Sequence, residues 1–345
     1  MLWHSPHDRI GALSKAKGGE APTTSGLVVS GFGRHYVVES DEGVRTICHP
    51  RGKKSLCVVG DRVRWQITGD EGVIEELEPR RNLLFRQDEW KTKAFAANLD
   101  QVLVMVASEP VFSESQLARA LIAAESAGIA ASILLNKADL PQIAAARDRL
   151  KPYVDMGYSV LEVALKAQPE ASRDVLNPLM AGRASLVLGP SGTGKSTLIN
   201  LLAPDARAQV GEVSQALNSG RHTTTSTQWY WLDTERRTGL IDSPGFQEFG
   251  LKQVDAQKLP ALMPDLREAS TRCRFYNCTH RQEPGCGVRE ALAQGAISES
   301  RYRIYGEIRQ EPGCGVREAL AQGAISESRY RIYGEIRQEL EGTRW

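Results

Sequence analysis

A chain of 345 residues is longer than one hydrophobic core usually serves, so we expect two or three domains. Hydrophobic residues make up 41% of the chain and charged residues 25%, as in ordinary soluble globular proteins. The formal net charge of +1 excludes a uniformly basic protein that binds nucleic acid through its overall charge. The sequence contains no apolar run as long as a membrane span, and its first residues lack the apolar core of a secretory signal. We therefore expect a cytoplasmic protein that makes no membrane contact, and as a separate expectation we take it to be a monomer.

The first third of the chain predicts an arm followed by a small β domain. Residues 1–24 are rich in Gly, Lys and Ser, which is typical of a flexible N-terminal arm. Residues 25–82 consist of short alternating or β-branched runs separated by turn residues, and this pattern predicts a small antiparallel barrel of about five strands. Cys48 and Cys57 in this region are expected to be packing residues.

The pattern changes to alternating strands and helices over residues 98–252. Strands are predicted at "QVLVMVAS", "ASILLN", "YSVLEVA" and "ASLVLG", each followed by a helical stretch, and "STQWYWLD" with "RRTGLID" reads as a hairpin. This alternation is typical of a parallel sheet with helices on both faces. Residues 253–345 are predicted to form a separate, mostly helical domain.

A phosphate-binding loop is the strongest single motif. The segment "GPSGTGKST" matches G-x-x-x-x-G-K-[ST] and lies between a predicted strand and a predicted helix, which is the context the motif requires. Its backbone N–H groups and the helix N-terminus would bind phosphate oxygens, Lys195 would reach the β- and γ-phosphates, and the Ser196 hydroxyl would ligate Mg²⁺. The candidate nucleotide-binding residues here are Gly189, Pro190, Ser191, Gly192, Thr193, Gly194, Lys195, Ser196 and Thr197.

Two further segments predict the rest of a Mg²⁺–nucleotide site. In "DSPG", Asp242 would hold Mg²⁺ and the N–H of Gly245 would sense the γ-phosphate. The polar loop "GRHTTT" offers Thr224 as a further Mg²⁺ ligand and His222 as a catalytic group that positions water. A surface loop with incidental Thr and His residues is the alternative interpretation. Phe246 stands where many GTPases carry a catalytic Gln, so the water-positioning group stays open.

The tetrapeptide "NKAD" predicts guanine recognition. The Asp139 carboxylate can accept hydrogen bonds from the N1–H and the 2-amino group of guanine, a pair that adenine lacks. Asn136 would tie the base-binding region to the phosphate loop, and the Lys137 stem, followed by Ala138, would lie along the purine. In an ordinary GTPase this motif follows the phosphate loop, whereas here it precedes it. If the chain is read cyclically from Ala184, the usual order returns, which indicates a circular permutation.

The C-terminal region predicts a structural metal site. The spacing Cys273-x4-Cys278-x-His280-x5-Cys286 provides three thiolates and one imidazole, the ligand set of a closed tetrahedral zinc site. Cys314 could replace Cys286, but the shorter loop favours Cys286. Basic residues are interleaved with Phe275 and Tyr276 here, and they could contact RNA or form only a solvated basic face. The basic residues are Arg267, Arg272, Arg274 and Arg281.

Residues 281–308 recur without a single change at 309–336. Two copies cannot form a solenoid, which needs at least three units. An identical copy indicates a recent duplication or a sequence error rather than a selected repeat architecture, and the sequence assigns it no function.

Together these motifs resemble the bacterial ribosome small-subunit-dependent GTPase A family over nearly the whole chain beyond the arm. The resemblance implies an oligonucleotide-binding (OB-fold) barrel, a circularly permuted α/β P-loop GTPase domain and a zinc-binding C-terminal domain. It also implies GTP hydrolysis with Mg²⁺, late maturation of the small (30S) ribosomal subunit, stimulation by that subunit and contact with its rRNA. The apolar residue after "DSPG" fits the family pattern. Two features depart from it: the stretch after the third predicted strand reads "VALK" at 163–166 where the family usually has Ser-Ala, and the duplication makes the C-terminal tail longer.

Two other function classes are compatible with parts of this pattern. An RNA-binding scaffold could use GTP only as a conformational switch, although Lys195, Ser196 and Asp242 favour an enzyme. An adenine-using P-loop kinase is opposed by Asp139. For the enzyme, the position of "DSPG" directly before the C-terminal region predicts that GTP and GDP states differ most in that region.

Overall fold

The computed structural model describes residues 23–52, 57–69, 71–87, 92–204, 227–243, 251 and 254–310. Several predicted residues lie outside these ranges: His222, Thr224, Gly245, Phe246, Cys314, nearly all of the N-terminal arm and nearly all of the second repeat copy. Within the described ranges, none of the helices is both long and apolar enough to cross a lipid bilayer.

Five strands close into the predicted barrel: β1 (Thr24–Phe32), β2 (His35–Ser40), β3 (Arg45–Pro50), β4 (Arg62–Thr68) and β5 (Glu71–Leu77). Their order is β1-β2-β3-β5-β4, and β4 returns to pair with β1, so the barrel has no free edge. All pairs are antiparallel except β3 with β5. The interior contains Val28, Val38, Trp65 and both Cys48 and Cys57, which confirms the packing role of the two thiols.

A two-stranded hairpin follows the barrel and was not predicted. It consists of β6 (Leu83–Gln87) and β7 (Thr92–Ala97). Gly60, at φ +92°, lies so close to the Ala97 carbonyl that a Cβ atom at that position would collide with it. Asn98 Nδ2 also donates to the Gly60 carbonyl at 2.8 Å, so this approach fixes the hairpin against the barrel.

The α/β domain has the predicted strands β8 (Gln101–Ala107), β9 (Ala130–Asn136), β10 (Ser159–Glu162), β11 (Ala184–Leu188), β12 (Gln228–Trp231) and β13 (Gly239–Asp242). Its helices are α1 (Glu114–Ser126), α2 (Ile143–Asp155), α3 (Pro169–Met180) and α4 (Lys195–Leu202). The spatial order is β10-β9-β8-β11-β13-β12, and only β12 is antiparallel to its neighbour in this sheet. Every residue of β8 is buried, as expected for a central strand covered on both faces.

The barrel and the α/β domain share one continuous sheet, because Ser30 of β1 pairs with Gln228 of β12. The buried Glu39 carboxylate on β2 accepts hydrogen bonds from Trp231 Nε1 at 2.6 Å and from Arg45 Nε at 2.7 Å. At the β12–β13 turn, Arg236 donates to the Glu42 carbonyl at 2.8 Å. The β12–β13 hairpin is therefore attached to the barrel by the β1–β12 strand pair and by side-chain hydrogen bonds from Trp231 and Arg236.

The C-terminal region contains a 3-10 helix (Leu259–Leu262) and the helices α5 (Pro264–Ser270), α6 (Gly287–Ala293) and α7 (Glu299–Gln310). An irregular loop separates α5 from α6, so the region is less uniformly helical than the sequence predicts. Arg301 of α7 is buried and forms a two-point ion pair with Asp265, at 2.9 and 3.0 Å, while its guanidinium lies 5.2 Å from the centre of the Tyr153 ring of α2. These contacts seat α7 against the α/β domain.

Candidate nucleotide site and metal centre

The loop from Gly189 to Gly194 connects β11 to α4 and has the backbone that the motif requires. Gly192 and Gly194 have φ values of +82° and +105°, in the left-handed region that favours glycine. A Cβ atom on Gly189 would lie 2.5 Å from the Met105 carbonyl oxygen, and one on Gly194 would collide with the Asn136 side chain. The loop therefore needs glycine for its own conformation and for its close approach to β8 and β9.

Lys195 and Asp242 lie near each other beside this loop. Lys195 Nζ donates to the carbonyls of Gly189 at 2.6 Å and Pro190 at 3.0 Å. Burial lowers the pKa of Lys195, and the nearby Asp242 carboxylate opposes this change. Burial raises the pKa of Asp242 to about 6, and Lys195 opposes that change in turn. An ammonium group and a carboxylate thus interact electrostatically at the carboxyl ends of the adjacent strands β11 and β13.

Asn136 joins three loops through its buried amide. Its Nδ2 donates to the Thr193 carbonyl of the phosphate loop at 2.8 Å, which confirms the predicted tie between the two motifs. Its Oδ1 accepts from the backbone N–H of Leu165 at 3.2 Å, and Ala138 N–H donates to the Val163 carbonyl at 3.1 Å. The "VALK" stretch therefore lies directly beside "NKAD", although its sequence departs from the family pattern.

The residue after Asn136 is held in an unusual conformation. Lys137 has φ +61°, and its carbonyl accepts a hydrogen bond from the Ser108 hydroxyl at 2.8 Å. Lys137 Nζ donates to the Glu109 carbonyl at 2.6 Å, so the side chain spans the loop after β8. Asp139 is exposed at the end of this turn. The role of Ser108 had no signal in the sequence, because a single Ser after a strand is common.

The strand order accounts for the early position of "NKAD". If the strands are numbered cyclically from β11, so that β8 becomes the fourth, their order across the sheet is 6-5-4-1-3-2. Phosphate loop, Asp242 and Asn136 then follow the first, third and fifth strands, at the carboxyl edge where doubly wound sheets bind ligands. The permutation changes the chain connections and leaves the relative places of these loops intact.

The four predicted metal ligands form one compact cluster. The Sγ atoms of Cys273, Cys278 and Cys286 and a ring nitrogen of His280 all lie within 4.8 Å of one another. His280 Nδ1 lies 3.3 Å from Cys273 Sγ and 3.5 Å from Cys286 Sγ, and those two sulfurs are 4.0 Å apart. Tetrahedral zinc with ordinary bond lengths requires edges of about 3.6 Å for S···N and about 3.8 Å for S···S. The residues therefore fit a structural zinc ion, with Cys286 as the fourth ligand.

Residues outside the ligand set hold this loop in shape. The Glu283 carboxylate accepts from the N–H of Thr279 at 2.8 Å and from that of Arg281 at 3.1 Å. On α7, Tyr302 donates its hydroxyl to the His280 carbonyl at 2.6 Å, and Tyr305 donates to the Thr279 carbonyl at 3.0 Å. Sequence reasoning missed these supporting residues, because their role depends on how α7 packs back over the loop.

A basic and aromatic surface lies beside the metal cluster. Tyr276 is fully exposed and Phe275 is 41% exposed. Arg274 places its guanidinium 5.5 Å from the centre of the Phe275 ring, and Arg272 is also exposed. Arg267, in contrast, pairs with Glu125 of α1 at 3.1 Å and so contributes to docking of the C-terminal region.

Comparison with known proteins identifies relatives of the whole arrangement. A sequence profile described as RsgA GTPase matches residues 77–252. The small ribosomal subunit biogenesis GTPase RsgA of Variovorax paradoxus (strain S110) is 60% identical over 288 residues, covering 82% of this chain and 91% of the relative. The protein of the same name from Ralstonia pickettii (strain 12J) is 51% identical, with the same coverage.

Two solved structures share the fold. YjeQ from Thermotoga maritima superimposes with a TM-score of 0.65 at 29% identity, covering 84% of this chain and 98% of that protein. YloQ, described as a circularly permuted GTPase, gives a TM-score of 0.62 at 26% identity, covering 84% of this chain and 94% of its own.

Proposed function

Because the chain belongs to the RsgA GTPase family, we propose that it hydrolyses GTP as a factor in late maturation of the small (30S) ribosomal subunit, with that subunit stimulating turnover. The observation that carries this function is the Asn136–Thr193 hydrogen bond, which joins "NKAD" to the phosphate loop in a permuted sheet. A base-reading loop and a phosphate-binding loop fixed at one sheet edge suit a guanine nucleotide. An RNA scaffold that uses GTP only as a switch is not favoured.

We assign guanine recognition to Asn136–Asp139. Asp139 would accept from N1–H and the 2-amino group of guanine, and adenine would leave that carboxylate unpaired. The exposed Asp139 is free to meet a base, whereas Asn136 is occupied in holding the loops. Asp139 thus supplies specificity and Asn136 supplies positioning.

We assign the phosphates to residues 189–197. Lys195 now donates to two loop carbonyls, and it would turn its ammonium group to the β- and γ-phosphates when they enter. Ser196 and Asp242 would hold Mg²⁺, which supplies charge neutralisation at the transferred phosphoryl group. Thr224 as a further Mg²⁺ ligand, Gly245 as the γ-phosphate sensor and His222 as the group that orients water remain predictions outside the described residues.

We propose that rRNA is contacted through the barrel and through the surface formed by Arg272, Arg274, Phe275 and Tyr276. Exposed aromatic rings can stack on unpaired bases, and guanidinium groups can bind phosphates or lie on base planes. The zinc site would fix this surface, since Cys273 and Cys278 flank Arg274, Phe275 and Tyr276 in sequence and Arg272 directly precedes Cys273. We also propose that the protein is monomeric and cytoplasmic, and that its functional units are residues 1–24, 25–82, 98–252 and 253–345.

GTP turnover with and without purified small ribosomal subunits tests the function, with ATP as the competing substrate. We expect stimulation by the subunit with GTP only, and loss of turnover in Lys195→Ala. Lys151→Ala is the matched control, because Lys151 is exposed on α2 and pairs with Asp155 on its own helix, away from the phosphate loop. Equal turnover of ATP, or no response to the subunit, would contradict the proposal.

Subunit binding tests the rRNA surface separately from catalysis. We expect the double change Arg274→Glu and Tyr276→Ala to weaken binding of the GTP-bound protein to small subunits. Arg303→Glu on the exposed side of α7 changes charge equally and serves as the control. If both variants bind alike, the contact surface lies elsewhere.

A further inference from the structure

The loop that follows β8 contacts both motifs of the nucleotide site. The Ser108 hydroxyl donates to the Lys137 carbonyl at 2.8 Å, and the Glu109 carbonyl accepts from Lys137 Nζ at 2.6 Å. Pro110 lies beside the phosphate loop, since a Cβ atom on Gly192 would be 3.6 Å from the Cδ atom of the proline. These three consecutive residues belong to none of the sequence motifs, yet they adjoin both the base-reading turn and the phosphate loop.

Ser108 holds the peptide groups on both sides of Lys137. Its backbone N–H donates to the Asn136 carbonyl at 3.1 Å, and its hydroxyl donates to the Lys137 carbonyl. Lys137 has φ +61°, in the left-handed region, which a residue with a Cβ atom disfavours by about 5- to 30-fold relative to the right-handed one. Because both flanking peptide groups are bonded to Ser108, this one residue fixes the backbone angles of Lys137.

The conformation of Lys137 decides where Asp139 lies. Asp139 follows two residues later and is exposed, as a group that meets a base must be. Ser108 is only 3% exposed, so it has almost no surface for a ligand to touch. Any effect of the Ser108 hydroxyl on a nucleotide therefore passes through the turn that begins at Lys137.

We propose that Ser108 is a positioning residue for guanine recognition: its hydroxyl holds Lys137 in the left-handed conformation and so keeps Asp139 where it can accept from the base. This inference rests on the assignment of guanine to residues 136–139 under the proposed function. Without the hydroxyl, the turn leaves that conformation in part of the molecules, and nucleotide binding has to restore it. The apparent affinity then falls by the fraction of molecules that are still competent to bind.

GDP binding by the full-length protein, measured by isothermal titration calorimetry, tests this role. We expect Ser108→Ala to bind GDP about tenfold more weakly than wild type, which is the upper end of what one buried hydrogen bond contributes. Ser185→Ala is the matched control, because the buried Ser185 hydroxyl also makes one hydrogen bond, from Gln101 Nε2 at 2.8 Å, but lies at the amino end of β11, away from the phosphate loop. Both variants should lose similar thermal stability, and only Ser108→Ala should lose affinity. If Ser108→Ala binds GDP as Ser185→Ala does, the positioning role is wrong.

Turnover in the presence of small ribosomal subunits separates positioning from general damage to the site. At saturating GTP the turn is held by the bound base, and Lys195 and Asp242 are unchanged. We therefore expect Ser108→Ala to keep the wild-type kcat while its KM for GTP rises about tenfold. A fall in kcat at an unchanged KM would contradict the proposal, because the hydroxyl would then support the reaction rather than recognition of the base.

Glycine in place of Lys137 tests the conformational argument directly. Lys137→Gly can adopt the left-handed conformation at no steric cost, so it should no longer need the Ser108 hydroxyl to hold it. Lys137→Gly itself should bind GDP more weakly than wild type, because it lacks the lysine side chain. In that background we expect Ser108→Ala to weaken GDP binding by less than about threefold, against about tenfold in the wild-type background. An equal loss in both backgrounds would show that the hydroxyl acts elsewhere and would overturn the proposal.

A second pair of variants keeps the test decisive if Ser108→Ala does not fold. Ser108→Thr and Ser108→Val introduce side chains of nearly the same size, and only the first carries a hydroxyl. Ser108→Thr should therefore bind GDP about tenfold more tightly than Ser108→Val, and equal affinities would refute the positioning role. A wild-type protein that binds ADP as well as GDP would instead contradict the assignment of guanine to this turn, and that result is recognised before any variant is compared.

Discussion

Replacing Asn136 by Ala should weaken guanine-nucleotide binding by separating loops that the wild-type side chain joins. The change removes the 2.8 Å bond to the Thr193 carbonyl and the 3.2 Å bond from Leu165 N–H. The Asn136 amide is 4% exposed, so both backbone partners lose a hydrogen bond in a buried place. An unsatisfied buried polar group costs about 1–3 kcal/mol, which gives about 2–6 kcal/mol for the pair.

The lower end of this range already predicts a clear effect. A loss of about 2 kcal/mol in binding corresponds to roughly 30-fold weaker affinity for GDP. Isothermal titration calorimetry with GDP and GTP would measure it, and thermal unfolding without nucleotide would report how much of the cost falls on the fold itself. The matched control is Lys166→Ala, which alters an exposed side chain in the neighbouring loop.

The variant Asn136→Asp distinguishes the contributions of the two hydrogen bonds. The carboxylate keeps an acceptor for Leu165 N–H but cannot donate to the Thr193 carbonyl, and it places a negative charge beside that oxygen. We expect it to bind GDP at least as poorly as Asn136→Ala. If Asn136→Ala binds GDP within about threefold of wild type, the positioning argument fails.

Four further predictions follow from the same structure. Asp139→Asn should shift preference from GTP to XTP, because an amide can donate to the 2-oxo group of xanthine and accept from its N1–H; unchanged GTP preference in competition binding would contradict this. Burial raises the pKa of Asp242 to about 6, so this carboxyl group binds a proton more tightly in the folded protein than in the unfolded one. Its contribution to the free energy of unfolding therefore rises as the pH falls from 7.5 to 5. The free energy of unfolding of Asp242→Asn, measured with urea, should therefore increase relative to that of the wild type by roughly 1 kcal/mol when the pH is raised from 5 to 7.5. If the difference between the two proteins is the same at both pH values, the assigned burial of Asp242 is refuted. Cys278→Ala should abolish zinc binding and raise hydrogen exchange in residues 264–310 while GDP affinity stays unchanged; loss of GDP affinity would show that the metal site also supports the nucleotide site. Hydrogen exchange in residues 254–310 should differ between the GTP- and GDP-bound protein more than exchange in the barrel does, and identical protection would exclude signalling to this region.

Much of the fold was predictable because its signals are local. The five barrel strands, and the alternating strands and helices from β8 to β11, can each be predicted from the spacing of apolar residues within a short stretch of sequence. The hairpin of β6 and β7 was missed, since "RNLLFRQ" has too few alternating positions to mark a strand, and its place depends on the close approach of Gly60 to Ala97. The attachment of β12 to β1 was missed for a similar reason, because it is a single bridge between distant segments.

The candidate chemical groups of this protein could be named from its sequence: the phosphate-loop motif, "NKAD", Asp242 and the spacing of three thiols and one imidazole. Each of these is a short motif whose residue types and spacing match the geometry of a phosphate, a base or a metal ion. How these groups are held became visible only in the folded chain, through the bridging amide of Asn136, the electrostatic interaction of Lys195 with Asp242 and the two tyrosines of α7 over the metal loop. Those contacts join residues far apart in the chain, and their existence depends on which elements pack together, which no local pattern records.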